Sequence, residues 1–325
     1  MHPTIADIEA ARARIAPYVI ETPSIAYYGT SLGDLLPAGS ELFLKLELLQ
    51  KTGSFKARGA VNVVLTLSQE ERAGGITAVS AGNHAVATAY AAKVAGLSAK
   101  VVMPKTANPY RVERCRAYGA EILLAETVGD LFPMVKRLQE EEGRSFVHPF
   151  EGPRTFEGTA SVGYEFCRDV ADLDAVLVPV GGGGLIAGIS AAVKQMQPAC
   201  RVYGIEPAGA NGMSQSLAAG KPLTGLSVKT IADSLAPPFH TEKAFALVQH
   251  YVDDMVTVSD EEIVAAMRLS FGDLKLAVEP AGATALAGLL GPLRDRLAGQ
   301  RVGLIVCGSN IDVATFTRLT ASGPM

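Results

Sequence analysis

Cysteine is scarce and scattered: Cys115, Cys167, Cys200 and Cys307 form no Cys-x-x-Cys pair and have no histidine at metal-ligand spacing. That excludes a disulfide framework and a zinc site, and the first three read as buried free thiols. Charge of one sign is lacking as well. A net charge of −4 over 325 residues, without a long run of either sign, gives no electrostatic footing for nucleic acid or an anionic membrane. Long apolar runs are missing: Ala175 to Val180 and Val302 to Val306 fall far short of a membrane span, and Met1 to Ala16 alternates charged and apolar positions instead of forming a signal peptide. The protein is therefore expected to be cytoplasmic. Internal repeats, low-complexity tracts and flexible linkers are absent too. With 48% apolar and 19% charged residues the chain can bury a large core, and its length suggests two lobes.

What is present is a regular alternation of elements. Ile5, Ile8, Ala11 and Ile15 recur at helical spacing, which predicts an amphipathic helix packed on something larger. Leu42 to Leu44 reads as a strand and Ala60 to Leu67 as the helix after it. Strands at 75–80, 99–103 and 121–124 then alternate with helices at 83–95 and 109–118, the signature of βαβ units and a parallel sheet. A helix at 131–142 and a strand at 145–148 complete this set. Longer units follow: a helix from Thr155 to Arg168, a strand at 175–179, a helix at 185–196 and a strand at 202–205. The segment 208–238 is rich in Gly, Ala, Ser and Pro and reads as loops with a short helix covering a site. Helices near 242–250, 260–271 and 281–290 lead to a final strand at 302–306. The expected fold is α/β, with residues 70–148 as a small lobe and residues 1–69 and 149–325 together as the large one.

The stretch from Lys51 to Ala60 sets Lys56 among Gly53, Ser54 and Phe55. An amine placed there suits Schiff-base formation, for which a partly desolvated pocket must lower its pKa. An ordinary lysine at a strand-to-helix turn is the plainer alternative. Gly181 to Gly184 lie directly after a buried strand and before a helix, so their backbone N–H groups can converge on a phosphate near the positive end of the helix dipole. No Gly-Lys-Ser/Thr follows and the dinucleotide spacing is missing, which excludes a P-loop and a Rossmann fingerprint. Ser80-Ala81-Gly82-Asn83-His84 repeats the architecture and could hold a carboxylate; taken alone, an N-capping turn, with His84 merely a helix-start residue, is the favoured reading. Cys307-Gly308-Ser309-Asn310 adds a third polar cluster at a strand end, where open α/β sheets place ligands. A reactive lysine, a phosphate cradle and a carboxylate cradle together describe a site for pyridoxal 5′-phosphate and an amino acid.

These four segments occur in the order and spacing of the threonine and serine dehydratases. The chain resembles that fold type II family, which also contains serine racemase, over nearly its whole length. Thr230-Ile231-Ala232-Asp233, Glu206-Pro207 and Glu279-Pro280 add to the likeness. The resemblance implies a two-lobed, open parallel-sheet fold of the tryptophan synthase β-subunit-like class. It also implies Lys56 as Schiff-base lysine, Phe55 beside the ring, Asn83 on the ring hydroxyl, Gly181, Gly182, Gly183 and Gly184 on the phosphate, and Cys307 against the pyridine nitrogen. Ser80, Ala81, Gly82, Asn83 and His84 would hold the substrate. A neutral thiol supports a protonated pyridine less than a carboxylate would, so the ring is a weaker electron sink and prompt β-elimination is expected. Lys56 would take the Cα proton, the β-hydroxyl would leave, and water would yield a 2-oxo acid and ammonia.

Departures from the family pattern carry their own implications. Serine racemase places a basic serine at the position of Ala81, and a methyl group cannot transfer a proton, so racemisation is disfavoured. Val86 and Glu157 stand where glutamine is common, and Ser234 where glycine is usual; all three are expected to line or support the substrate side. A divalent-cation site of some relatives is matched at Glu206 and Ala210, but Gly212 replaces its aspartate, so a weak or absent metal site is expected. The chain stops at Met325 without the regulatory domain of biosynthetic threonine dehydratases, so isoleucine feedback is not expected. The reading is a lyase for L-threonine, L-serine or a related 3-hydroxy amino acid. Alternatives are a dehydratase of 3-hydroxyaspartate or of a hydroxyectoine-pathway intermediate, serine racemase, a β-replacement enzyme, and a non-catalytic ligand-binding protein. A homodimer is implied by the family alone.

Overall fold

The computed structural model describes residues 2–29 and 32–321. The chain first lays down β1 (Ser24–Ala26) and β2 (Glu41–Lys45), which pair antiparallel. It then forms β3 (Ile76–Val79), β4 (Ala99–Pro104), β5 (Glu121–Ala125) and β6 (Ser145–Phe146), a four-stranded parallel sheet of order β5-β4-β3-β6. Finally β7 (Ala175–Pro179), β8 (Arg201–Pro207), β9 (Asp254–Val258) and β10 (Arg301–Ile305) complete a six-stranded sheet of order β1-β2-β10-β7-β8-β9. Every residue of β7 is buried, as a central parallel strand with both faces covered requires. Its Ala-Val-Leu-Val run and the glycines after it therefore sit at mid-sheet.

The helix Lys56–Leu65 joins the two sheets. Its Ala60, Val61 and Val64 pack into the core of the four-stranded sheet with Ile76, Val101 and Met103, and Ile15 of the first helix joins them. Its N-terminal end is tied to the larger sheet by buried charge. Arg58 donates through Nε and Nη2 to Glu47 (both 2.8 Å) and through Nη1 and Nη2 to Glu165 (both 2.7 Å), while Lys45 Nζ lies 3.0 Å from Glu165 Oε2. Removing one member of such a lattice strands a buried charge, at a cost on the order of 3–5 kcal/mol. Gly158, on the helix Pro153–Asp169, lets the two helices cross closely: a Cβ there would stand 2.7 Å from the Arg58 carbonyl oxygen. Lys56 is thereby fixed between the sheets from both sides.

Several elements differ from the sequence reading. The lysine helix begins at Lys56 and not at Ala60, and β6 ends at Phe146, leaving His148 in the segment beyond it. The short strand β1, the edge strand β9, the helix Gln69–Ala73 and the closing helix Val313–Thr320 were not anticipated. Three to eight residues with mixed burial give too few periods to register as a pattern.

Candidate active site

The lysine segment is stitched to the end of β10. Phe55 N–H donates to Cys307 O (3.2 Å), Ser309 N–H to Gly53 O (2.9 Å), and Asn310 Nδ2 to Thr52 O (2.7 Å). Thr52 and Gly53 both adopt left-handed backbone, with φ of 68° and 75°, and this tight turn swings Lys56 inward. Lys56 Nζ donates to the Pro149 carbonyl and stands 5.1 Å from the centre of the Phe55 ring. Burial pushes its pKa down from 10.5 to about 8. At pH 7 that raises the neutral fraction from about 0.03% to about 10%, which is what a nucleophilic amine needs.

Lys56, Phe55, Asn83, Cys307 and Gly181 to Gly184 line one cavity, joined by Ser234 and Glu279. The glycines run from the end of β7 into the helix Gly184–Met196. A Cβ on Gly182 would stand 2.3 Å from the Phe150 ring, and one on Gly184 would stand 2.8 Å from Phe150 Cα. The backbone is therefore obliged to stay bare at a helix start, as an anion cradle requires. Burial first, then the Glu279 carboxyl, push the Cys307 thiol up, so it stays neutral. Asn83 has a fixed amide: its Oδ1 accepts from Asn310 Nδ2 (2.6 Å) and its Nδ2 donates to Glu279 Oε1 (2.5 Å), leaving a second N–H to offer. Bare amides, a neutral thiol, an amide donor and a desolvated amine around one cavity fit pyridoxal phosphate.

A second cavity of 310 Å³ opens from Lys56. One wall is the turn Ser80 to His84, where Gly82 N–H donates to Ser80 Oγ (3.1 Å) at the start of the helix Asn83–Ala95. Asp233 and Ser234 form the rim. The rest of the lining is largely apolar, with Phe132, Phe150, Pro237, Pro238 and Phe239. Phe239 lies 5.6 Å from Phe132 and 5.5 Å from Phe150, centroid to centroid. Arg111 Nη1 donates to Asp233 Oδ2 (2.6 Å), which ties the rim to the helix that carries Arg111.

His84 Nε2 donates to the Val147 carbonyl (2.8 Å), and His148 Nδ1 accepts from Phe150 N–H (3.2 Å). Burial, then the nearby Lys56, push these rings down to about 3 and about 4. Both are neutral in the fold, whereas the unfolded chain protonates them below its ordinary 6.5. Unfolding therefore takes up protons there, and stability falls as pH drops from 6.5 toward 4. Glu279, raised by burial to about 7 from 4.5, works the other way between those two values, but it is one group against two. Between pH 6.5 and 4.5 the net loss is on the order of a few kcal/mol. Thermal melts across that range should show a falling midpoint, with a smaller fall in His84→Gln; a flat or rising wild-type midpoint contradicts the assignment.

Two expected substrate-side residues lie elsewhere. Glu157 faces a separate cavity with His2, Pro3, Asp7 and Arg154, its carboxylate held by Arg154 Nη1 (2.9 Å to Oε2) and near Asn62 Nδ2 (3.4 Å). On a helix, residues two apart point roughly 200° from one another, so Thr159, which donates to Gly184 O (2.8 Å), faces the cradle and Glu157 does not. Val86 is fully buried in the core of the four-stranded sheet. Ser234 does reach the site. Glu206 accepts from Met213 N–H (2.8 Å), Ser214 N–H (2.9 Å) and Ser214 Oγ (2.6 Å), so its oxygens serve the start of the helix Gly212–Ala219, next to the turn holding Ala210. No group of three or more His, Cys, Asp or Glu that could hold a metal occurs among the described residues. Phe132, Phe239, Arg111 and the role of Glu279 were not read from the sequence. Only Glu279 carried a signal, an acid followed by proline at a helix start.

Known proteins place this geometry in context. The chain is 51% identical over 317 residues to a phenylserine dehydratase from Ralstonia pickettii, covering 97% of this chain and 96% of that one. An L-threonine ammonia-lyase from Thermotoga maritima is 39% identical over 98% of this chain and 79% of its own length. The structure of maize serine racemase superposes with a TM-score of 0.91 at 38% identity, over 98% and 97% of the two chains. Residues 18–308 match the family described as pyridoxal-phosphate dependent enzyme, and the chain belongs to that family.

Proposed function

We propose that this protein is a dehydratase, or ammonia-lyase, of 3-hydroxy amino acids, with a preference for an aromatic substituent at C3. One observation carries the preference: the cavity beyond Lys56 is lined both by the turn Ser80 to His84 and by the rings of Phe132, Phe150 and Phe239. Pyridoxal 5′-phosphate, the cofactor of this family, supplies when bound an electron sink for the pair left at Cα. Gly181 to Gly184 hold its phosphate, Asn83 offers an N–H to its hydroxyl, and neutral Cys307 leaves the ring nitrogen without a counter-charge. The turn Ser80 to His84 orients the substrate carboxylate. Lys56 takes the Cα proton and passes it to the β-oxygen, so that as the Cα–H and C3–O bonds break the oxygen departs as water and the amine is restored. Water then enters the released enamine to give the 2-oxo acid and ammonia. Ala81 offers no proton to the opposite face, so elimination is favoured over racemisation. The 3-hydroxyaspartate reading has less support, because Arg111 is engaged by Asp233 and a second substrate carboxylate would meet phenylalanine.

The test is 2-oxo acid release from 3-phenylserine, L-threonine, L-serine and 3-hydroxyaspartate. Ring contacts and burial of this kind are worth roughly 1–3 kcal/mol, so kcat/KM for 3-phenylserine should exceed that for L-threonine by about tenfold or more. Phe239→Ala should lower that ratio about tenfold while sparing L-threonine. Equal kcat/KM values would remove the aromatic preference, and inactivity on all four would remove the lyase reading. The proposal extends to the lobes at 1–69 with 149–325 and at 70–148, to a cytoplasmic location, and to a homodimer, whose mass light scattering reads. Among the described residues no helix is long and apolar enough to cross a membrane.

A further inference from the structure

Among the described residues lining the cradle, Glu279 is the only acid. It occupies the N-cap position of the helix Pro280–Leu290, yet its side chain makes no capping bond, the usual reason for an acid there. The side chain turns inward instead and is 1% exposed. Oε1 accepts from Asn83 Nδ2 (2.5 Å); Oε2 has no hydrogen-bond partner, with Arg111 Nη2 at 3.8 Å. Gly308 makes room for it, since a Cβ there would stand 2.4 Å from Oε1. A buried carboxyl oxygen left without a partner is costly, and the fold has kept one where the cofactor binds.

We propose that Glu279 is a positioning residue for the bound cofactor: it aims the free N–H of Asn83 at the ring hydroxyl and places an ionisable oxygen in the cradle within reach of Cys307. The proposal rests on the family's cofactor and is independent of the substrate reading. Three titratable groups act on or with this carboxyl, and a fourth, Lys56, lines the same cavity. Arg111 comes from the helix Pro109–Ala117, Asp233 from the rim turn, Cys307 from the end of β10, and Lys56 from its own helix. Burial pushes Glu279 up to about 7, against the pull of Arg111 and the Asn83 N–H, with Asp233 adding to the rise. Its proton therefore exchanges near neutral pH while Arg111 keeps its charge.

Two variants separate the hydrogen bond from the charge. Glu279→Gln retains an oxygen for Asn83 but cannot ionise; Glu279→Ala loses both. The readouts, taken on the holoenzyme, are the dissociation constant of pyridoxal phosphate and the pH dependence of its visible absorption band. Wild type should show a spectral transition near neutral pH. Glu279→Gln should hold the cofactor within about twofold of wild type and lose that transition, and Glu279→Ala should bind it about tenfold more weakly. A Gln variant that titrates like wild type overturns the charge role, and an Ala variant that binds like wild type overturns the positioning role. Borohydride labelling of Lys56 in each protein shows whether the cofactor is seated at all. Its failure in wild type would strike the cofactor assignment and not Glu279, and its success in the variants shows that they fold.

Discussion

Replacing Lys56 with alanine is expected to lower turnover by about 10³-fold or more, because under the proposed mechanism it removes both the covalent anchor of the cofactor and the base for the Cα proton. His84 and His148 are alternatives in kind, but burial makes both rings weak bases, with pKa values pushed down to about 3 and about 4, and one is committed to the Val147 carbonyl and the other to Phe150 N–H. The stability effect should run the opposite way. The folded amine has a pKa of about 8 against the ordinary 10.5, so the native state binds fewer protons between those values, and at pH 7 the fold carries the full penalty of a desolvated cation. Its one hydrogen bond, to Pro149 O, returns only part of that. The alanine apoprotein should therefore melt no lower than wild type. Full turnover by this variant would sink the assignment, and a collapse in melting temperature would show that Lys56 serves the fold.

The parts of the site legible in the sequence are those written as contiguous runs at strand ends. The glycines 181 to 184 announce a bare backbone by themselves, whereas Lys56 with its glycine-serine-aromatic flank and the turn 80 to 84 each admit a plainer reading alone and gain meaning from occurring together. What stayed hidden depends on pairs far apart in the chain. Asn83 meets Glu279 across 196 positions and Arg111 meets Asp233 across 122, and neither member of such a pair looks unusual beside its own neighbours. Phe132 is a lone aromatic at the start of an amphipathic helix; only the approach of Phe239 gives it a role. Glu157 misled for the converse reason. Its neighbours Gly158 and Thr159 do serve the lysine helix and the cradle, but helical geometry turns each successive side chain by about 100°, so membership in a motif is not membership in a site. The fold was read more completely than its edges: β7 declares itself by an unbroken apolar run, whereas β9 mixes half-buried and exposed positions at the margin of its sheet.

Gly182→Val should cost the protein its cofactor while leaving it folded. The added Cβ would stand 2.3 Å from the Phe150 ring, well inside any van der Waals contact. Phe150 cannot swing clear, since it is 7% exposed and packed against His148 and Phe239, with centroids at 4.7 Å and 5.5 Å. Its backbone is pinned as well, because Phe150 Cα lies only 2.8 Å from where a Cβ on Gly184 would be. The loop must therefore move, and its N–H groups then no longer converge on one anion. Overpacking of this kind costs roughly 1–3 kcal/mol, which corresponds to an about 5- to 150-fold weaker hold on pyridoxal phosphate, read by equilibrium dialysis with circular dichroism as the control for folding. Unchanged affinity would mean that the glycines shape a turn and do not cradle a phosphate. Truncating the obstacle supplies the sharper test. In a Phe150→Ala background the three atoms that a methyl group at position 182 would meet first are gone, so Gly182→Ala should weaken binding less there than in wild type, and the difference measures the clash itself.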